Sequence, residues 1–146
     1  MNAQLATAAD AAKPTYALTA DGTTNDHNLG LQWSKTLCDA NVSHHAAAKL
    51  IEALNEGVSD GEPKWRFPTI QEGLALVRYD RISPACDTEF FPDMKSDWYW
   101  MGDLYAGNSD FAWIVSFYNG NSVCLHRGVN GAFVRAVREL PASQCL

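Results

Sequence analysis

Apolar residues first recur at helical spacing in the middle of the chain. Ala47, Leu50, Ile51 and Leu54 fall at i, i+3, i+4 and i+7, a period that lines one side of a helix. Ser43 stands just before them and predicts an N-cap, because its hydroxyl can accept from the free N–H groups of a first turn. Thr69-Ile70-Gln71-Glu72 predicts a second helix: it has the spacing of a capping box and follows Pro68. Ile70, Leu74 and Val77 supply its buried side, and the helix is expected to fade near Tyr79-Asp80.

After Pro92 the period shortens to that of strands. Residues 97–101 are aromatic and short. In residues 112–118, Trp113, Val115 and Phe117 alternate with Ile114 on the other face. Asn119-Gly120 then separates this segment from residues 121–127, and Asn130-Gly131 leads into residues 133–138. Asn-Gly tolerates positive φ at both turn positions, so type I′ hairpins are expected and the three strands read as an antiparallel meander. Two helices first and a sheet after them make an α+β domain. Residues 1–14 are small, polar and Ala-rich and are expected to be a flexible lead. The domain is expected to span 15–140, with 141–146 as a C-terminal tail after a proline.

Composition narrows the classes. Of 146 residues, 47% are apolar and 19% charged, a globular balance. No apolar run reaches the ~20 residues that cross a bilayer. The net charge of -6 argues against direct nucleic-acid binding, which needs a cationic face. Cys38, Cys86, Cys124 and Cys145 are widely spaced with no C-x-x-C pair, so no zinc site is expected. The N-terminus has no basic segment followed by an apolar run, which predicts no secretory signal and reduced thiols.

A series of short motifs runs through this framework: Asp21-Gly22-Thr23, Gly30-Leu31-Gln32-Trp33, Trp65-Arg66-Phe67-Pro68-Thr69, Phe91-Pro92, Tyr99-Trp100, Tyr105-Ala106-Gly107-Asn108, Ala112-Trp113 and Val134-Arg135-Ala136-Val137-Arg138. In this order they resemble the family typified by the C-terminal domain of the bacterial collagen-like adhesin Lcl. The resemblance implies a C-type-lectin-like fold, with two helices packed on a twisted antiparallel sheet and a C-terminal strand meander. It also implies a binding module rather than an enzyme. Members of the family often carry one cysteine in the first helix and another in the last motif. Ile51 and Ala136 stand at those places here, so the pair is replaced at both ends, and the two are expected to lie close together in the core.

Candidate chemistry is sparse. Glu62-Pro63 lacks the Asn of a sugar-binding calcium motif, because Lys64 follows, and is expected to be an exposed loop. His44 and His45 point about 100° apart on a helix and are expected to face solvent. No nucleophile–base ordering, phosphate loop or carboxylate pair stands out. Trp33, Trp65, Trp100 and Trp113 are expected in the core, Trp98 at the surface, and Arg66 and Arg138 as braces to backbone carbonyls. The resemblance places ligand contacts on the long loop region and the exposed face of the late strands. The candidate partner-binding residues are therefore Asp103, Tyr105, Asn108, Asp110, Tyr118, Asn119, Asn121, His126, Arg127, Asn130 and Phe133.

The expected function is non-enzymatic recognition of a protein partner, without cofactor or metal. The reading is of a phage or mobile-element protein that inhibits a host defence protein in the host cytoplasm. The alternative is an extracellular adhesin or phage receptor-binding module for a surface protein or glycan.

Overall fold

The computed structural model describes residues 15–145; the expected lead, 1–14, and Leu146 lie outside the described residues. Three strands open the described chain: β1 (Tyr16–Leu18), β2 (Thr24–Asp26) and β3 (Leu31–Thr36). This corrects the expected order of helices first and a sheet afterwards. β2 reads Thr24-Asn25-Asp26, all polar and all buried, so it has no apolar alternation to reveal it. Its buried groups are paired, as burial of polar atoms requires. Asn25 Oδ1 accepts from Gln32 Nε2 at 2.9 Å, and Asp26 Oδ1 accepts from the N–H groups of Asn28 and Leu29 at 2.9 and 3.0 Å. Gly30, at φ +69°, turns β2 into β3 in a conformation that side chains rarely adopt.

Helix α1 spans His44–Asn55, with Ser43 Oγ accepting from Ala46 N at 3.1 Å as the cap. Ala47 and Ile51 are buried; Leu50 and Leu54 are half-buried at the edge of the same stripe. Asn55 closes the helix by clamping the backbone of Trp65, accepting from its N–H at 2.6 Å and donating to its carbonyl at 2.9 Å. Helix α2 spans Ile70–Ala75 and opens on the expected capping box. It ends earlier than expected. The N–H groups of Leu76 and Val77 close onto Gly73 and Leu74 three residues back, and Arg78 N–H turns away to Ala85 O at 2.7 Å. A Cβ at Gly73 would lie 2.5 Å from Met101 Sδ, so glycine is what lets α2 lie close on the strand beneath it.

The remaining strands are β4 (Trp98–Tyr105), β5 (Asn108–Ser116), β6 (Ser122–His126) and β7 (Arg135–Glu139). They do not form one sheet. β4-β5-β6 is an antiparallel meander, whereas β7 joins β3 in a four-stranded sheet of order β1-β2-β3-β7. The expected meander of the last three strands is thus displaced by one strand, and the single expected sheet is two. The Asn-Gly turns are also corrected. In Asn119-Gly120 only Gly120 has positive φ, and Gly120 N–H bonds to Ser116 O across a longer loop; Asn130-Gly131 has positive φ at neither residue. Residues 132–134 tie the sheets together: Trp100 N–H bonds to Phe133 O at 2.9 Å, Phe133 N–H bonds to Trp98 O at 2.8 Å, and β7 follows at once.

The buried residues form two clusters, one on each side of β4-β5. Tyr99, Met101 and Val115 face Trp33, Leu76, Phe91, Phe133 and Val137. Trp100, Ala112 and Ile114 face Ala47, Ile51, Trp65, Val134 and Ala136. Ile51 and Ala136 both fall in the second cluster, so both lie in the core. Arg66 and Arg138 brace the fold. Arg66 grips Glu72 with both terminal nitrogens, at 2.8 and 2.9 Å, and donates to Phe67 O. Arg138 lies 4.5 Å from the centre of the Trp65 ring and donates to Gln32 Oε1 and Pro63 O. The expected tail is tied down: Pro141 is buried, a 3₁₀ turn follows at Ala142–Gln144, and Gln144 Oε1 accepts from Asn25 and Gln32.

Candidate binding surface

Residues of β5 alternate between the two sides of the meander. Ala112 and Ile114 point into the core beside α1. Phe111, Trp113 and Val115 take the other side, opposite His126, Cys124 and Ser122 of β6. Helix α2 packs on this side of β4 and β5, where Val115 and Met101 are buried. Toward the β4–β5 turn the cover ends and the side chains emerge. Trp113 and Phe111 are half-buried, while Tyr105 and His126 are exposed. Tyr105 meets Trp113 edge-on with ring centres 6.3 Å apart, and Phe111 meets His126 edge-on at 5.3 Å. The result is an open aromatic face on rigid strands.

The expected site residues divide into groups. Tyr105 and His126 belong to this face, and Asn108 and Asp110 are exposed at the start of β5 beside its turn. Asn108 Oδ1 accepts from Asp110 N–H at 2.9 Å and shapes the start of β5, leaving both side chains at the surface. Asp103 sits beside them with a structural task, since its carboxylate accepts from Ile70 N–H at 2.8 Å and caps α2. Asn130 is exposed on the β6–β7 loop. Tyr118, Asn119 and Asn121 lie beyond the other end of β5, a strand about 26 Å long at strand rise. There they meet Tyr79 and Ile82, which are 74% and 60% exposed and were not singled out in the sequence. Tyr79, Asp80, Arg81, Ile82 and Asn119 line a shallow hollow of about 310 Å³ at that end. Phe133 is removed from the surface altogether: it is 7% exposed and packs on Tyr99, because its backbone joins the two sheets.

Arg127 is half-buried and holds the open face to α1. Its N–H bonds to Asp110 O, its carbonyl accepts from His44 N–H, and its Nε donates to His44 Nδ1 at 3.3 Å. His44 is only 4% exposed, which corrects the expectation that it faces solvent. The first-turn position that points inward is filled by its ring, stacked on Phe67 at 4.3 Å and edge-on to Trp100. Nε2 lies 3.1 Å from Met101 O, which can only accept, so Nε2 carries the proton and Nδ1 is free to accept from Arg127. This is a neutral imidazole. Burial holds its pKa below the ordinary 6.5, and the Arg127 charge adds to that, against the opposing pull of the Met101 carbonyl. His45 beside it is exposed as expected.

Reactive groups do not converge at this face. Cys86 is fully buried, and burial pushes its thiol up to about 11, so it stays protonated at neutral pH. Among the described residues no group of three or more His, Cys, Asp or Glu is placed to hold a metal ion, and all four cysteines are free thiols. Glu62 is exposed in its loop. What the surface offers is aromatic area with polar edges, an arrangement that suits recognition.

No curated protein and no solved structure matches the chain. Its strands and helices nevertheless carry the ordered motifs in defined structural tasks: Gly30 in a positive-φ turn, Trp65 under Arg138, Thr69 capping α2. The model of the Lcl C-terminal domain matches residues 22–138, nearly the whole described domain, and the chain belongs to that family.

Proposed function

We propose that this chain is a non-enzymatic binding module of C-type-lectin-like fold that recognises a protein partner through the open face of β4-β5-β6. One observation carries the reading: Tyr105, Phe111, Trp113 and His126 present partly exposed rings in edge-on pairs on strands whose other side is core. Aromatic rings held by a scaffold give large contact area at small entropic cost, which is how binding hot spots are built. Their pairing on strands favours this face over the far end, where Tyr79 and Ile82 stand on a loop.

The partner we favour is a host protein met in the cytoplasm and inhibited there. Two things support a reducing compartment: four free thiols, and apolar Ile51 and Ala136 where related chains often hold a cysteine pair. Membership of the Lcl C-terminal domain family supports a second reading, an adhesin or phage receptor-binding module for a surface protein or glycan. Capture experiments with native chain and a Tyr105→Ala/His126→Ala variant separate these. A single cytosolic protein retained by the native chain and lost from the variant, at unchanged melting temperature, supports the proposal. Retention only of envelope proteins or glycans supports the second reading, and equal retention by both chains overturns the site.

A further inference from the structure

We propose that the free edge of β6 is the seam of a symmetric dimer, in which two copies of this chain pair β6 to β6 and merge their three-stranded sheets into one. The inference begins with the hydrogen-bond pattern of β5 and β6. Ser116 N–H bonds to Asn121 O, and Arg127 N–H bonds to Asp110 O. With the register Ile114↔Val123 and Ala112↔Leu125 between them, the odd-numbered residues of β6 exchange bonds with β5. The backbone groups of Ser122, Cys124 and His126 therefore point away from β5.

Nothing among the described residues takes up the outward groups of Ser122 and Cys124; only the His126 carbonyl is used, by Val129 N–H at 3.1 Å. Other edges are covered. Outward groups of β4 bond to Phe133 and Pro68, and Val137 of β7 exchanges bonds with Arg66. β1 is an edge only three residues long. β6 also lacks the usual protections of an open edge. Ser122-Val123-Cys124-Leu125-His126 contains no proline, lysine or carboxylate, and Val123 is 44% exposed.

The occupant we assign is a second copy, because the edge is its own complement. A two-fold axis at Cys124 sets each Cys124 opposite that of the other copy and each Ser122 opposite His126. No charge faces a like charge across the seam, although the whole chain carries -6. Residues opposed in this way have Cα atoms about 5.5 Å apart, which brings the two thiols within reach of a short linker. The side chains of Ser122, Cys124 and His126 lie on the same side as Trp113, so pairing would join two open aromatic faces into one surface. That consequence rests on the proposed binding role, but the dimer itself does not, and its test uses no partner.

The experiment is light scattering on the full chain over a concentration series, with Ser122→Pro and Ser122→Lys as variants. Proline removes only an outward N–H, and lysine places a charge at the seam; a melting curve checks that each variant folds. In parallel, a short bis-maleimide is applied to a Cys38→Ser/Cys145→Ser chain, and amide exchange is followed at Cys124. The proposal predicts a native dimer, cross-linking that disappears with Cys124→Ser, and a slow Cys124 amide that becomes fast in both Ser122 variants as they turn monomeric. A native chain that stays monomeric throughout, or a dimer that persists in both folded Ser122 variants, overturns it. So does an exchange-protected β6 edge found only after a different protein is added.

Discussion

At the residue scale, much of what holds the domain is polar, and its pH response can be argued from one side chain. His44 is buried and neutral, with Nε2 donating to Met101 O and Nδ1 accepting from Arg127. Its pKa in the fold lies below the ordinary 6.5 it regains on unfolding. Below about pH 6.5 the unfolded chain therefore binds a proton that the folded chain refuses, and stability falls as pH drops toward the depressed value. Glu72 and Asp21, whose pKa values are also lowered, add their losses only at more acidic pH. For Glu72 burial acts the other way and is outweighed by the bonds from Arg66 and Thr69; for Asp21 the bonds from Thr19 and Thr23 dominate. Melting temperature followed between pH 7.5 and about 5 should fall, and His44→Gln should flatten that slope. A native chain with no slope in this window, or an unchanged slope in the variant, contradicts the assigned state. None of this was legible beforehand, because two adjacent histidines at a helix start look alike until packing decides which one points inward.

At the element scale, legibility followed the source of each element's stability. Both helices could be read, because caps and apolar spacing are local signals; Ser43 and Thr69 cap as expected. The end of α2 could not, since Arg78 leaves the helical path for a carbonyl seven residues later. β2 is polar and buried among side-chain amides, and the partner of β7 lies about a hundred residues earlier in β3, so neither left a local pattern. The capping box allows a direct check. Thr69 accepts from Glu72 N–H at 3.1 Å, and Thr69→Ala leaves that donor without its partner. The expected cost is about 1 kcal/mol. Urea titration of both chains measures it, and equal midpoints would show that the cap contributes nothing.

At the scale of the whole molecule, many motif residues serve the framework, while Tyr105 and Trp113 of two motifs stand at the open meander face. Trp65, Arg66, Thr69, Ala136 and Arg138 pack, cap or brace, so these motif residues carry the fold. They carry no partner identity. Of the expected site residues, Tyr105 and His126 stand on the open face, Asp103 caps α2, Asn108 and Asp110 are exposed beside the β4–β5 turn, Tyr118, Asn119 and Asn121 lie at the opposite end, and Phe133 is buried. Strand alternation alone could not show this, because which end of the sheet α2 covers depends on a packing that Gly73 permits. The claim that the open face binds the partner is tested most directly by hydrogen exchange on the chain with and without its captured partner. The account predicts slowed exchange in residues 103–113 and 122–127, with no change in residues 79–82 and 118–121. Protection confined to the Tyr79–Tyr118 end, with the β4–β6 face unchanged, would contradict it.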